Sequence, residues 1–250
     1  MALPEKDLQD RIIDHPSPNC GDRPNGSQID ILVLHYTGMQ SGRAALDRLC
    51  DPDASASSHY LIEEDGRIFR LVAEDKRAWH AGVANWAGIN DLNGRSIGIE
   101  IVNGGHDFGS PPYLEAQMRA VELLCQEILK RHPIMPRSVV AHSDIAPERK
   151  ADPGEWFDWA RLARAGVGVW VEPVPIVDGP VLKLGDRGDP VSELQFQLAN
   201  YGYGIEVLGV FDMKTEAVVR AFQRHFRPAQ VDGVADLSTI ATLRLLHDIV

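Results

Sequence analysis

The run Ile29–Thr37, IDILVLHYT, sets the first condition on the fold. Ile31 to Leu34 leave no polar residue at alternate positions, which predicts a strand buried on both faces rather than one facing water. Such a strand needs a covering layer above and below. The next 110 residues supply candidates for both. His59–Glu63 and Arg67–Val72 flank Glu64-Asp65-Gly66, the signal of a hairpin. Ile97, Ile99 and Ile101 alternate with Gly98 and Glu100, the period of a strand. Leu114, Met118, Val121, Cys125 and Ile128 step by four and three, the stripe of an amphipathic helix, with Ser110 as its predicted cap and Pro111 in its first turn. Ser138–Ala141 is a short strand candidate that runs into His142. The expectation is an α/β domain, a mixed central sheet flanked by helices.

After Trp170 the character changes. EPVPIVDGP, Glu172–Pro180, carries three prolines and a glycine and is expected to be a stiff linker. Beyond it, helical patterns cover Asp189–Asn200, Asp212–His225 and Asp236–Leu246, with glycines at 202, 204, 209 and 233 between them. About 70 residues in three helices are just enough for a small all-α bundle. Leu194, Leu198, Val218, Phe222 and Phe226 are its expected core. The division expected is therefore 1–172, a linker 173–179 and a bundle 180–250, with chemistry that survives removal of everything after about Val171.

The formal charge is −11, with 18 basic against 27 acidic residues before Pro180 and 7 against 9 from there on. That balance disfavours a general nucleic-acid or anionic-membrane binder. Cys20, Cys50 and Cys125 are odd in number and widely spaced, so neither a disulfide framework nor a cysteine zinc finger is signalled, and Cys125 is expected in the core. No apolar run approaches the ~20 residues of a membrane span, and MALPEKDLQDRIIDHP lacks the apolar core of a signal peptide.

The chemistry concentrates on a few residues. His35 and His142 each end a predicted strand, and Asp152 follows in a loop, held away from helix by Pro153. Two imidazoles and one carboxylate make a three-ligand zinc site with a fourth position open to water. Asp144 is a rival third ligand, disfavoured because it lies only two residues from His142. Glu100 shares a strand face with Gly98, opposite the isoleucines. It reads as an edge-strand residue facing solvent, as the partner of a salt bridge with Arg95, or as a general base for water. Lys150, two residues before Asp152, would come close to the metal and help stabilise an oxyanion.

LHYTG at His35, SSHYLIEEDGRIFRLV from Ser57, RAWHAG at His80, SIGIEIVN at Glu100 and AHSDIAPERKADPG from Ala141 together resemble the zinc N-acetylmuramoyl-L-alanine amidases. That family includes bacterial anhydro-muropeptide amidases and is related to phage amidase-lysozymes and animal peptidoglycan recognition proteins. The blocks fall in family order over about residues 15–165. The resemblance implies one zinc held by His35, His142 and Asp152, with catalytic work by Glu100 and Lys150. Tyr36, Trp79 and His80 become candidate substrate contacts; core packing for Trp79 and a supporting hydrogen bond for His80 are the plainer readings. Phage relatives carry a tyrosine where this chain has Ser58, so no role of that tyrosine transfers. The tail, from VLKLGDRGDPVSELQFQLANYGY through VDGVADLSTIATL, resembles the three-helix peptidoglycan-binding domain of bacterial wall hydrolases.

The implied reaction is hydrolysis of the amide between the lactyl group of N-acetylmuramic acid and L-alanine, with peptidoglycan or muropeptides as partner. A non-catalytic receptor on the same fold, or a zinc hydrolase of another amide, are the competing readings. The wall-binding tail argues for the periplasm, and the lack of a signal peptide for the cytoplasm.

Overall fold

The computed structural model describes Leu8 and residues 12–249. In chain order the strands are β1 (Ile12–Asp14), β2 (Cys20–Asp22), β3 (Ile31–Tyr36), β4 (Tyr60–Ile62), β5 (Ile68–Arg70), β6 (Lys76–Ala78), β7 (Ser96–Ile101) and β8 (Val139–Ala141). The helices are α1 (Gly42–Cys50), α2 (Leu92–Arg95), α3 (Glu115–Arg131), α4 (His142–Ile145), α5 (Trp159–Arg164), α6 (Asp189–Tyr201), α7 (Met213–Phe226) and α8 (Leu237–His247). Six strands form one mixed sheet in the order β1-β5-β4-β7-β3-β8, in which only β4 and β5 pair antiparallel. β2 and β6 make a separate antiparallel pair.

The apolar run is β3, central and buried from Ile31 to His35. Leu32 and Leu34, with Ile97, Ile99 and Ile101 of β7, point to one face and pack on Met118, Val121, Leu124, Cys125 and Ile128 of α3. The four-and-three stripe thus covers the sheet as its periodicity requires. Its start differs from expectation: α3 begins at Glu115 after Leu114, with no side-chain cap. Ser110 instead takes a positive φ of 45° in a turn closed by its own N–H on the Gly105 carbonyl. The tandem Pro111-Pro112 holds the chain extended after it, because a residue before proline avoids the helical region.

Ile31, Val33 and Val140 point to the other face and belong to a core that continues into the bundle. Trp86, Ile145 and Ala146 join Leu194, Leu198, Tyr203, Phe211, Phe222 and Phe226 in that same cluster. The two units meet through backbone as well, with Ala87 N–H on the Gly202 carbonyl at 2.7 Å. A Cβ at Gly202 would stand 2.9 Å from the Trp86 ring, so only glycine lets the indole seat there. The centre of the contact is Asp144, which is fully buried. Its carboxylate accepts from Tyr203 Oη at 2.8 Å, from His225 Nδ1 at 2.6 Å and from its own Ala141 N–H at 2.8 Å. The His225 ring lies between Trp159 and Phe226, at 3.7 and 3.8 Å between centroids. The helices of the bundle follow the predicted spans, with Asp212 and Asp236 capping α7 and α8 through Thr215 and Thr239 N–H. The linker is tied down: Thr242 Oγ1 accepts from Val174 N–H, and Ser238 Oγ donates to the Val174 carbonyl. A stiff segment was expected; a tail able to move apart from the sheet domain is not what the packing describes.

Among the described residues no helix is long and apolar enough to cross a membrane. All three cysteines are free, and Cys125 is buried in the sheet–helix core.

Glu74 clamps the loop after β5 to the end of α3. Tyr60 Oη and Arg131 donate to one carboxylate oxygen at 2.8 and 2.7 Å, and His132 to the other at 2.6 Å. Burial alone would raise its pKa, but these three donors outweigh that and hold it down to about 2, from an ordinary 4.5. A depressed carboxylate contributes stability above its unfolded pKa and loses it as pH falls through the folded one. The clamp should therefore weaken between pH 4.5 and about 2. Glu74→Gln should lower stability at neutral pH by about 1–3 kcal/mol. In melting curves against pH, its deficit relative to wild type should close over that window. A constant deficit down to pH 2 would mean that the charge of Glu74 contributes nothing.

Candidate active site

The sheet register brings the chemistry to one edge. His35 on β3 pairs with Glu100 on β7, and Leu34 pairs with Ala141 on β8, so His142 emerges beside His35. Parallel strands present their carboxyl ends together, and that is where all three residues stand. Asp152 comes from the loop after α4, anchored by Ser143 N–H on its own carbonyl at 3.0 Å.

Three ligand-type atoms converge there. His35 Nδ1 and His142 Nδ1 are 2.9 Å apart, and Asp152 Oδ2 lies 3.1 and 3.0 Å from them. All three residues are buried, and they form a group able to hold a metal ion. The far ring nitrogens fix which atoms are free to bind. His142 Nε2–H donates to the Ala81 carbonyl at 3.2 Å, leaving Nδ1 as the lone-pair atom. His35 Nε2–H donates to His80 Nδ1 at 3.1 Å, His80 Nε2–H to Ser96 Oγ at 3.1 Å, and Ser96 Oγ–H to the Leu92 carbonyl at 2.6 Å. This assignment gives every member of the chain a donor and an acceptor role. Burial, then the neighbouring His142, lowers the His35 pKa to about 4, so the ring is neutral near pH 7, the form that binds metal. For Asp152, burial would raise the pKa; contact with His142 and His35 overrides it and keeps the carboxylate ionised. Asp144, the rival ligand, faces away into the bundle contact described above.

Glu100 stands beside this trio without a structural partner. Its Oε2 is out of contact with solvent and makes no hydrogen bond. The alternative of an ion pair with Arg95 fails, because Arg95 is engaged with Asp30. Burial first, and the Asp152 charge second, raise the Glu100 pKa well above the carboxylate range, while Lys150 opposes them. Lys150 is half-buried, and its charge acts on both Glu100 and His35.

The three candidate substrate contacts occupy different places. His80 is buried behind His35, and its position depends on Gly98, where a Cβ would stand 2.5 Å from the imidazole. Asn93 Oδ1 accepts from both His80 and Ala81 N–H, which holds this turn. Trp79 is half-buried on the same turn, its N–H on Ser57 Oγ at 2.9 Å. Tyr36 is half-buried at the mouth; its O–H donates to His106 Nδ1 at 2.9 Å, and His106 Nε2–H donates to Glu155 at 3.0 Å. Ser96, Asn93, His106 and Glu155 escaped the sequence reading. Gly98 inside a strand was a signal only for the close approach of His80, since an interior glycine marks such a contact.

Converging imidazoles and a carboxylate, next to a second carboxylate with an oxygen free to take a proton, are what a metal-assisted hydrolase presents to its substrate. Comparison with known proteins says which hydrolase. The model of the N-acetylmuramoyl-L-alanine amidase family matches residues 25–155, and that of a peptidoglycan binding domain matches residues 187–243. The N-acetylmuramoyl-L-alanine amidase AmiD of Escherichia coli is 38% identical over 238 residues, 88% of this chain and 82% of that one. The 1,6-anhydro-N-acetylmuramyl-L-alanine amidase AmpD of Enterobacter cloacae is 37% identical over 164 residues, 59% of this chain and 86% of its own. The solved complex of the E. coli AmiD with anhydro-N-acetylmuramic acid-L-Ala-D-gamma-Glu-L-Lys superposes with a TM-score of 0.75 at 36% identity, covering 90% of this chain and 92% of that one. The chain belongs to the N-acetylmuramoyl-L-alanine amidase family.

Proposed function

We propose that the chain hydrolyses the amide between the lactyl group of N-acetylmuramic acid and L-alanine in peptidoglycan or its muropeptides, with His35, His142 and Asp152 holding one zinc ion. The observation that carries this is Glu100: a half-buried carboxylate whose solvent-shielded Oε2 has no partner, paired across the sheet with His35. The trio suits zinc. Ligand atoms about 2.0–2.1 Å from a tetrahedral ion lie about 3.3 Å from each other, close to the 2.9–3.1 Å seen here. Two imidazole nitrogens and one carboxylate oxygen also suit a borderline-soft ion. A zinc ion held by these three residues would supply Lewis acidity to the reaction. Glu100 accepts the proton of the attacking water and returns it to the departing alanine amine. Lys150 places a positive charge toward the developing oxyanion. His80 and Ser96 hold the His35 ring through the hydrogen-bonded chain behind it. Tyr36, half-buried next to His35, and Trp79, half-buried on the turn that carries His80, are the candidates to contact the sugar or peptide. In this reading residues 1–172 carry the chemistry, 173–179 connect, and 180–250 supply the wall-binding helices. Mass spectrometry of digests of intact sacculi and of soluble anhydro-muropeptides tests it; release of intact stem peptide is expected, and cleavage elsewhere would overturn it.

Metal dependence gives a second expectation. Chelation should abolish activity, and zinc should restore it. Asp152→Ala should lose the metal while remaining folded. Asp144→Ala should instead lower the melting temperature, with any folded fraction still loaded. Metal loss in folded Asp144→Ala with retention in Asp152→Ala would reassign the third ligand.

A further inference from the structure

A groove of about 470 Å³ runs between the loop Pro147–Ala151 and one face of α7. Met213, Glu216, Ala217, Arg220 and Arg224 line it from the helix, a stripe at three- and four-residue spacing. Lys150 lines the opposite wall, so the groove begins at the catalytic edge. Four cations, Arg149, Lys150, Arg220 and Arg224, meet two carboxylates, Glu148 and Glu216, in a chain of net charge −11. A local excess of positive charge in an acidic protein selects anions. Two of the cations are engaged. Arg149 donates to the Val83 carbonyl at 2.6 Å, and Arg220 to Glu216 at 2.8 Å.

Arg224 is not engaged. Its Nε is out of contact with solvent and has no hydrogen-bond partner. Burial disfavours its charge, and the carboxylate of Glu155 offsets part of that. Arg224 and Lys150 line the same groove, so the guanidinium faces the loop that leads to Asp152. A half-buried guanidinium with an idle N–H is an open fork for a carboxylate. Leaving it unfilled has a desolvation cost that an incoming anion removes.

We propose that Arg224 binds a carboxylate of the stem peptide in this groove, so that the C-terminal bundle forms one wall of the substrate site. This rests on the muramoyl–alanine reaction proposed above. In the peptide bound by the E. coli relative, glutamate is linked through its γ-carboxyl. Its α-carboxylate is therefore free, one residue past the scissile amide, and each residue spans about 3.8 Å. The carboxylate at the end of the stem is the other source of the same chemistry.

The test uses the full chain, zinc-loaded, and soluble anhydro-muropeptides of three kinds: unmodified, amidated at the glutamate α-carboxylate, and amidated at the stem terminus. On the unmodified substrate, Arg224→Gln should raise KM about 10- to 100-fold, the range for a charge-assisted hydrogen bond, and Arg224→Lys should recover part of it. One of the two amidated substrates should raise the wild-type KM similarly and collapse the penalty of the variant; which one does so identifies the carboxylate. An Arg224→Gln penalty of the same size on all three substrates, or no penalty on any, overturns the proposal. Equal melting temperatures for wild type and variant exclude a folding defect. Failure of the wild type to cleave unmodified muropeptide would instead overturn the reaction itself.

Discussion

Glu100→Gln should leave the protein folded and metal-loaded while cutting turnover about 10²–10⁴-fold, the range for removal of a general acid–base. The amide is nearly isosteric, so the His35–His142–Asp152 trio keeps its neighbours. What disappears is the proton acceptor. The stability of this variant is as informative as its rate. Burial and the Asp152 charge both disfavour ionised Glu100, and no hydrogen bond to Oε2 compensates. A carboxylate retained for structure would cost stability when neutralised. One retained for chemistry should give a melting temperature equal to or above that of wild type, because a buried charge without a donor is removed. Metal content per chain, melting temperature and turnover of one preparation check all three points. Near-normal turnover would take Glu100 out of the mechanism, and a large drop in melting temperature would make it a structural residue.

Ending the chain at Val171 should abolish activity on every substrate by destabilising the catalytic unit, soluble muropeptides included. The proline-rich segment alone suggested a separable tail, and the packing reverses that expectation. Without the bundle, Asp144 loses the hydrogen bonds from Tyr203 and His225, and the apolar face formed by Ile31, Val33, Val140 and Ile145 loses the cover it shares with the bundle. Trp86, 2% exposed in the intact chain, loses Tyr203 and Gly202 from its covering. Exposing a large apolar side chain costs about 1.5–3 kcal/mol. Against a typical domain stability of about 5–15 kcal/mol, these losses are large. Circular dichroism and sedimentation of the truncated chain check the expectation; a folded monomer that cuts soluble muropeptides at the full rate would show that the units are independent. Tyr203→Phe gives a graded version, with a loss of about 1–3 kcal/mol for one donor to a buried carboxylate.

The two results have a common origin. α4, whose first residue is His142, ends one turn later at Ile145, and Asp144 within it binds the bundle. A metal-ligand candidate and the anchor of the domain contact therefore share a single turn of helix. The groove along α7 meets the same unit from the other side, through the loop that carries Lys150.

The sequence by itself determined the local elements and the chemical inventory. Apolar continuity from Ile31 to Leu34, alternation from Ile97 to Ile101 and the stripe on α3 are periodicities of single segments, and burial of one face follows from them directly. The hairpin at Gly66 and the caps at Asp212 and Asp236 are likewise written within a few residues. His35, His142 and Asp152 stood out because strand ends and the loop after them are local features too. Tertiary structure decided everything that depends on a partner from elsewhere in the chain. Asp144 and Asp152 are the same residue type, two and ten positions from His142. One meets His225 and Tyr203, the other meets His35, and only the packed sheet and bundle separate their roles. His80 backs His35 because Gly98 leaves room for its ring. Arg224 faces a groove because α7 lies against the loop that carries Lys150. Periodicity reports which face of a segment is buried, but the energy of a buried charge is set by the distant group that meets it, and that group is chosen only when the layers pack.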